Sequence, residues 1–278
     1  MTSHDVVARV RRILKTKRVG HTGTLDPFAT GVLVLLVGTA TRLAQFLDKD
    51  AKEYVATVKL GFETDTGDVT GKPKGKIRTD VTVPSEEVDA ALRSLRGESM
   101  QLPPMYSAKK IEGRKLYEFA RQGVEIERQP VPITIHEIAL LEMTGRDSFV
   151  LRVCCSAGTY IRVLAEDIGK TLGTGAHLTE LRRTAAGQFD LRFSYTLESL
   201  KKESVALIPA ENAVAHLPEF QLRPDRIEKT KNGLSTRVSQ ARFQDGDFVR
   251  MTEVSGNVIA IGVFDEAEMS VQPKIVLV

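Results

Sequence analysis

At 278 residues the chain has room for about two domains, and for a core that needs neither disulfide nor metal to hold it. A composition of 42% hydrophobic and 27% charged residues is that of a globular protein, and no apolar run is long enough to span a membrane. A net charge of +3 excludes nothing by its size, but Arg9, Arg11, Arg12, Lys15, Lys17 and Arg18 crowd together with no acid among them, which suits either a phosphate-contacting surface or a solvated helix face.

Residues 3–15 have the spacing of an amphipathic helix: Val6, Val7, Val10, Ile13 and Leu14 recur at helical intervals, Ser3 stands where a cap belongs, and Asp5 suits the first turn. The N-terminus is polar and cationic with no apolar stretch after it, so no secretory signal is expected. Gly20, Gly23, Pro27 and Gly31 predict a loop over 17–31. The run Gly31-Val-Leu-Val-Leu-Leu-Val-Gly38 predicts a buried strand, and Leu43, Ala44 and Leu47 a short helix. Residues 52–60 are β-rich, with Tyr54, Ala56, Val58 and Leu60 on one face. The Gly-, Thr-, Asp- and Lys-rich stretch 61–82 predicts an exposed loop or hairpin.

Ser85 is placed to cap a helix carrying Val88, Leu92 and Leu95, stopped at Gly97. Residues 99–111 show little periodicity. A helix through Leu116, Phe119 and Ala120 ends at Gly123. Strands are expected at 131–143 and 148–155, then a helix over 159–172. Cys154 and Cys155 are adjacent, so on a strand they face opposite ways and can neither bridge readily nor share a metal. Small buried hydrophobes in a cytoplasmic protein are the expectation. Beyond residue 215 come short β-like pieces at 220–222, 247–251, 257–264 and 274–278, the pattern of a small barrel. The predicted architecture is α+β: a main domain over 1–212 and a small β-barrel-like domain over 213–278.

The most unusual local feature is Gly20-His-Thr-Gly-Thr-Leu-Asp-Pro-Phe-Ala-Thr-Gly31. Pro27 fixes its own φ and pushes Asp26 into an extended conformation, while the glycines permit sharp turns and close approach. A carboxylate on a loop beside a buried strand is held as catalytic groups often are, although an Asp-Pro pair is more often only a turn. There is no phosphate-binding loop, dinucleotide fingerprint, nucleophile elbow or zinc-binding histidine pattern. An enzyme built this way would work with a carboxylate and no evident cofactor or metal.

These residues resemble a known signature. Residues 17–38 are similar to the TruB family of synthases, which act on a uridine in the T-loop of tRNA. The resemblance continues through Lys52-Glu-Tyr-Val-Ala-Thr-Val-Lys-Leu-Gly61, Thr64-Asp-Thr-Gly-Asp68, Gln101-Leu-Pro-Pro-Met-Tyr-Ser-Ala-Lys-Lys110, Gly158-Thr-Tyr-Ile-Arg162 and Leu181-Arg-Arg-Thr-Ala-Ala-Gly-Gln-Phe189. Gly256-Asn-Val-Ile-Ala-Ile-Gly262 resembles, more loosely, a PUA-type RNA-binding domain. The resemblance implies a pseudouridine-synthase mixed sheet with flanking helices. It implies isomerisation of uridine to pseudouridine with the base flipped out, no cofactor, and a stand-alone monomer acting on the T-arm.

By the same resemblance Asp26 is the essential carboxylate, whether as nucleophile toward ribose or base or as a base itself. Arg162 pairs with it, and a guanidinium there is expected to keep it ionised and oriented. Tyr54 stacks on the target base, and Leu181 is an apolar wall of the uracil pocket; by pattern alone both would be core. His21 braces the space the base leaves. Lys109, Lys110, Arg114 and Arg121 belong to a segment of about 102–130 that clasps the T-arm by shape and backbone.

Family members begin with a strand of the type G-x-L-x-x-D-K-P-x-G before the Thr-Ser that opens the first helix. Here Met1-Thr2-Ser3 falls where that stretch ends, so the native chain is expected to extend upstream. Two other readings compete: a tRNA-binding or tRNA-folding protein without catalysis, and a synthase acting on another RNA within a multi-protein particle.

Overall fold

A computed structural model describes residues 1–111, 113–202, 206–239 and 242–277. The chain divides into two compact units, one formed by 1–6, 23–34 and 49–194, the other by 7–22, 35–48 and 195–278.

The first unit is built on a sheet whose strands run in the order Phe189–Asp190, Ala176–Ala186, Lys52–Leu60, Ser148–Cys155, Val131–Met143 and Gly97–Gln101. All these neighbours are antiparallel. Thr30–Gly31 adds a short parallel pairing along Ala176–Ala186, which makes the sheet mixed. Alternation along Lys52–Leu60 buries Lys52, Tyr54, Ala56, Val58 and Leu60, the face the period-two pattern predicts. The helices Ser85–Ser94 and Ile161–Thr171 pack against Val131–Met143 and Ala176–Ala186. The core between them contains Phe149, Leu151, Leu164, Ile168 and Leu178.

The second unit has a five-stranded sheet in the order Glu219–Gln221, Phe248–Thr252, Val258–Asp265, Ser270–Val276 and Thr236–Arg237. Its central strand is apolar without alternation because both faces are covered. Ile259, Ala260 and Phe264 join one cluster with Met251 and Val271, whereas Val258 and Ile261 join another with Leu43, Val214 and Ile275. The expected α+β class with a small C-terminal β unit is what forms. Of the strand expected over 274–278, Val278 lies outside the described residues. No helix among the described residues is long and apolar enough to cross a membrane.

Several local expectations are corrected. The apolar run 31–38 is not one strand: Gly31 has φ +98°, which ends the Thr30–Gly31 pairing, and the chain resumes as Val34–Val37. That strand pairs with Val19–Thr22, which forms inside the expected loop and buries Val19 and Thr22. Ser3 is the first helical residue rather than the cap. Thr2 caps the helix Ser3–Ile13 instead: its hydroxyl accepts from the Asp5 amide at 3.2 Å, and the Asp5 carboxylate accepts from the Thr2 amide at 2.8 Å. Ser85 likewise lies inside its helix after Pro84, which makes no capping bond. The strand Gly97–Gln101 and the helix Pro224–Lys231 form where no regular element was expected.

Candidate active site

Asp26 lies on a loop fixed at several points to the first unit. Leu25 and Phe28 on either side of it pack against the sheet core. The Ser3 hydroxyl accepts from the Leu25 amide at 2.9 Å and donates to the Leu25 carbonyl at 3.3 Å. The Ala29 amide donates to the Asp26 carbonyl at 3.0 Å, so the Asp-Pro pair does open a turn.

Arg162, in the first turn of Ile161–Thr171, reaches this carboxylate with two of its three nitrogens. Nε donates to Asp26 Oδ2 at 2.9 Å and Nη2 to Asp26 Oδ1 at 3.0 Å. The guanidinium also donates from Nη1 to the Thr66 carbonyl at 2.8 Å and from Nη2 to the Tyr106 carbonyl at 2.7 Å. A buried arginine is tolerable only when its polar groups are bonded, and here four bonds engage all three nitrogens. The side chain of Arg162 is 4% exposed and that of Asp26 31%, so the cation is sealed while the carboxylate keeps an open face for a ligand.

Asp68 lies behind the pair, its Oδ2 3.9 Å from Arg162 Nε. It is held by the Thr66 hydroxyl and the Thr70 amide, each at 2.9 Å from Oδ1. Burial, the largest influence, raises the Asp26 carboxyl above its ordinary value of 3.8, and the nearby Asp68 charge adds to the rise. Arg162 opposes both without cancelling them. Arg162 therefore orients the group and favours its charge, as expected of a guanidinium there, but against a rise that desolvation imposes.

Tyr54 is buried in the middle of the sheet, between Val153 and Arg183 in register. Burial raises its phenol, and the Arg183 guanidinium pulls it down without cancelling that rise. Leu181 is 5% exposed, pairs with Ala56, and belongs to the same core. The structure thus brings Asp26, Arg162, Tyr54 and Leu181 into one unit. His21 lies on Val19–Thr22 in the other.

Lys109, Lys110, Arg114 and Arg121 lie on a small module made of the hairpin Lys110–Ile111 and Arg114–Lys115 and the helix Leu116–Ala120. Leu116 and Phe119 anchor that module. The Arg114 guanidinium sits 4.2 Å from the centre of the Phe119 ring and that of Arg121 5.2 Å from Tyr117. Lys110, Arg114 and Arg121 are exposed and Lys109 is half-buried. The module is tied to the carboxylate site through the Tyr106 carbonyl that Arg162 holds.

Asp68 and Arg183 were not singled out by sequence reasoning. Asp68 stands in a turn-like stretch that gives no sign of burial. Arg183 carried a signal: two residues after Leu181 on a strand, it shares that residue's inward face. Among the described residues no group of three or more His, Cys, Asp or Glu side chains could hold a metal.

The loop-borne Asp26 carboxylate is gripped at both oxygens by the buried Arg162 guanidinium, in a chain whose matching family models are those of pseudouridylate synthases. Residues 11–161 match the model of the TruB family pseudouridylate synthase N-terminal domain, and residues 162–217 that of the tRNA pseudouridylate synthase B C-terminal domain. The chain belongs to the TruB family. The tRNA pseudouridine synthase B of Bacillus pumilus is 44% identical over 274 residues, covering 94% of this chain and 88% of the relative. That of Aromatoleum aromaticum is 48% identical over 227 residues, covering 80% and 73%. Among solved structures, an H/ACA RNP bound to a substrate RNA containing 2′-deoxyuridine includes a chain 28% identical, with a TM-score of 0.73. A Cbf5-Nop10-Gar1 complex includes one 29% identical, with a TM-score of 0.74. Each match covers 100% of this chain and 82% of the solved one.

Proposed function

We propose that this chain isomerises uridine to pseudouridine in the T-loop of tRNA, acting as a cytoplasmic monomer on free tRNA without an obligatory protein partner. The observation that carries the reading is the two-pronged Asp26–Arg162 contact, which leaves a desolvated carboxylate with one open face. In the reaction the N1–C1′ bond of the nucleotide breaks, the base turns, a C5–C1′ bond forms, and the proton lost from C5 is balanced by one gained at N1. Nothing is oxidised or reduced.

Asp26 is the reacting carboxylate, and a group held at both oxygens is already oriented when the flipped nucleotide arrives. Arg162 keeps the carboxylate in place and stabilises its charge. Tyr54 lies against the base, and Leu181 walls the uracil pocket. The exposed cations Lys110, Arg114 and Arg121, with Lys109 and His21, contact the RNA, the first four through its backbone. Residues 1–212 act as the catalytic domain and 213–278 as a PUA-like RNA-binding domain.

The reading is supported by the likeness to relatives named tRNA pseudouridine synthase B over most of their length. The test is release of tritium from 5-tritiated uridine in a T-arm RNA with no other protein present. Release at the T-loop uridine supports the proposal. Binding without release would favour the non-catalytic reading, and release only in the presence of a guide particle would favour a different RNA substrate.

A further inference from the structure

Arg183 is 1% exposed, and among the described residues it is the largest side chain so fully enclosed. Its bonds converge on one feature. Nε donates to the Val32 carbonyl at 2.8 Å and Nη2 to the Gly23 carbonyl at 3.0 Å. These carbonyls stand on opposite sides of Asp26, one before it in the chain and one after. The backbone of Arg183 takes part as well: its carbonyl accepts from the Val32 amide at 2.8 Å, and Gly31 lies so close to it that a Cβ there would overlap the Arg183 carbonyl. Directly across the antiparallel register from Arg183 is Tyr54, and such pairs place their side chains side by side on one face.

We propose that Arg183 is the positioning residue that holds the Asp26 loop and Tyr54 in one reacting arrangement, clamping the loop at both ends while its guanidinium lies beside the Tyr54 hydroxyl. Arg183 does not itself meet the substrate. A planar fork can span two carbonyls and still present a donor edge to a third group, whereas an ammonium cannot hold the same geometry. Gly23, at φ +70°, is part of the arrangement: a Cβ there would stand 3.3 Å from Arg183 Nη1, so glycine leaves the guanidinium room. The pull of Arg183 on the Tyr54 phenol toward its ionised form accords with this placement.

This assignment rests on the isomerase reading, and the test separates the two. Single-turnover tritium release, T-arm RNA affinity and melting temperature are measured for the wild type, Arg183→Lys, Tyr54→Phe and the double variant. A misplacement of about 1 Å costs about 100-fold in rate, so Arg183→Lys is expected to lose release about 100-fold with affinity within about threefold. In the Tyr54→Phe background the same change is expected to cost under about tenfold, because part of what Arg183 positions is already gone. A lysine variant with wild-type rate would overturn the assignment, as would an equal loss in both backgrounds, which marks a merely structural role.

If the wild type itself released no tritium, the isomerase reading would fail instead. The contact with Tyr54 would then be read by ultraviolet titration, taking the Tyr54 phenol as the difference between matched chains with and without Tyr54→Phe. It is expected to ionise at higher pH in Arg183→Gln and to return toward wild type in Arg183→Lys, which keeps the charge. An unchanged Tyr54 titration in Arg183→Gln would overturn the inference.

Discussion

Replacing Arg162 with lysine keeps a positive charge beside Asp26 and removes the fork. The guanidinium makes four bonds from three nitrogens, two to the Asp26 carboxylate at 2.9 and 3.0 Å and two to the carbonyls of Thr66 and Tyr106 at 2.8 and 2.7 Å. A lysine brings three donors on a single nitrogen, which cannot reach both carboxylate oxygens and two carbonyls on different segments. At least one bond to a charged partner is lost, worth about 1.5–3 kcal/mol, and the carboxylate is free to swing. If that loss of about 1.5–3 kcal/mol is felt in the transition state, release of tritium falls about 10- to 150-fold. RNA affinity should change little, since the side chain is sealed from the surface. Methionine at the same position removes the charge as well and strands two carbonyls, at about 1–3 kcal/mol each. It should lower the melting temperature where lysine does not. The assay is single-turnover release with saturating enzyme, alongside thermal melting. A lysine variant with wild-type rate would refute the view that the two-pronged grip orients Asp26.

Other outcomes follow from the same geometry. Burial and Asp68 hold the Asp26 carboxyl above 3.8, so activity that needs the carboxylate should decline on the acid side at a pH above that value. The sign for stability is the reverse of an ordinary salt-bridged aspartate. The folded chain holds this proton more tightly than the unfolded one, so the contribution of Asp26 to stability is fullest below 3.8 and is lost as pH rises through its folded value. An acid limb at or below 3.8 would contradict the account. Gly31→Ala should destabilise the chain and impair release together, because the new Cβ meets the Arg183 backbone at a φ of +98°; unchanged melting would refute that close approach. Burial pushes the Cys155 thiol up to about 12, so alkylation near pH 8 should label it only after unfolding. Labelling of Cys155 in the native chain at the rate of a free thiol would show the strand to be open.

Much of the sheet was legible because its strands alternate. Tyr54, Ala56, Val58 and Leu60 mark one inward face, and Phe149, Leu151 and Val153 mark the adjacent strand. The segment around Asp26 was harder to place, since its conformation is set by partners distant in sequence. The break at Gly31 depends on Arg183, and the pairing of Val19–Thr22 depends on Val34–Val37. Helix starts were misplaced by one residue, because capping depends on which hydroxyl turns back: Thr2 does so, while Ser3 is drawn to Leu25. Asp26 and Arg162 could be named from the matched motifs, yet the rise in the Asp26 carboxyl could not. Ionisation depends on how deeply a loop is buried, and that is a property of the packed sheet. Arg183 is the converse case: a cation at an inward strand position is legible in the sequence as a residue that must find buried acceptors, although which carbonyls it finds is not.

The most direct test of the central claim is tritium release from a 5-tritiated T-arm RNA by this chain beside Asp26→Asn. The variant keeps a group of the same size and removes its charge. The account predicts release by the parent, none above background by the variant, and RNA binding by both. Equal release by the two would contradict the assignment of Asp26 as the reacting carboxylate.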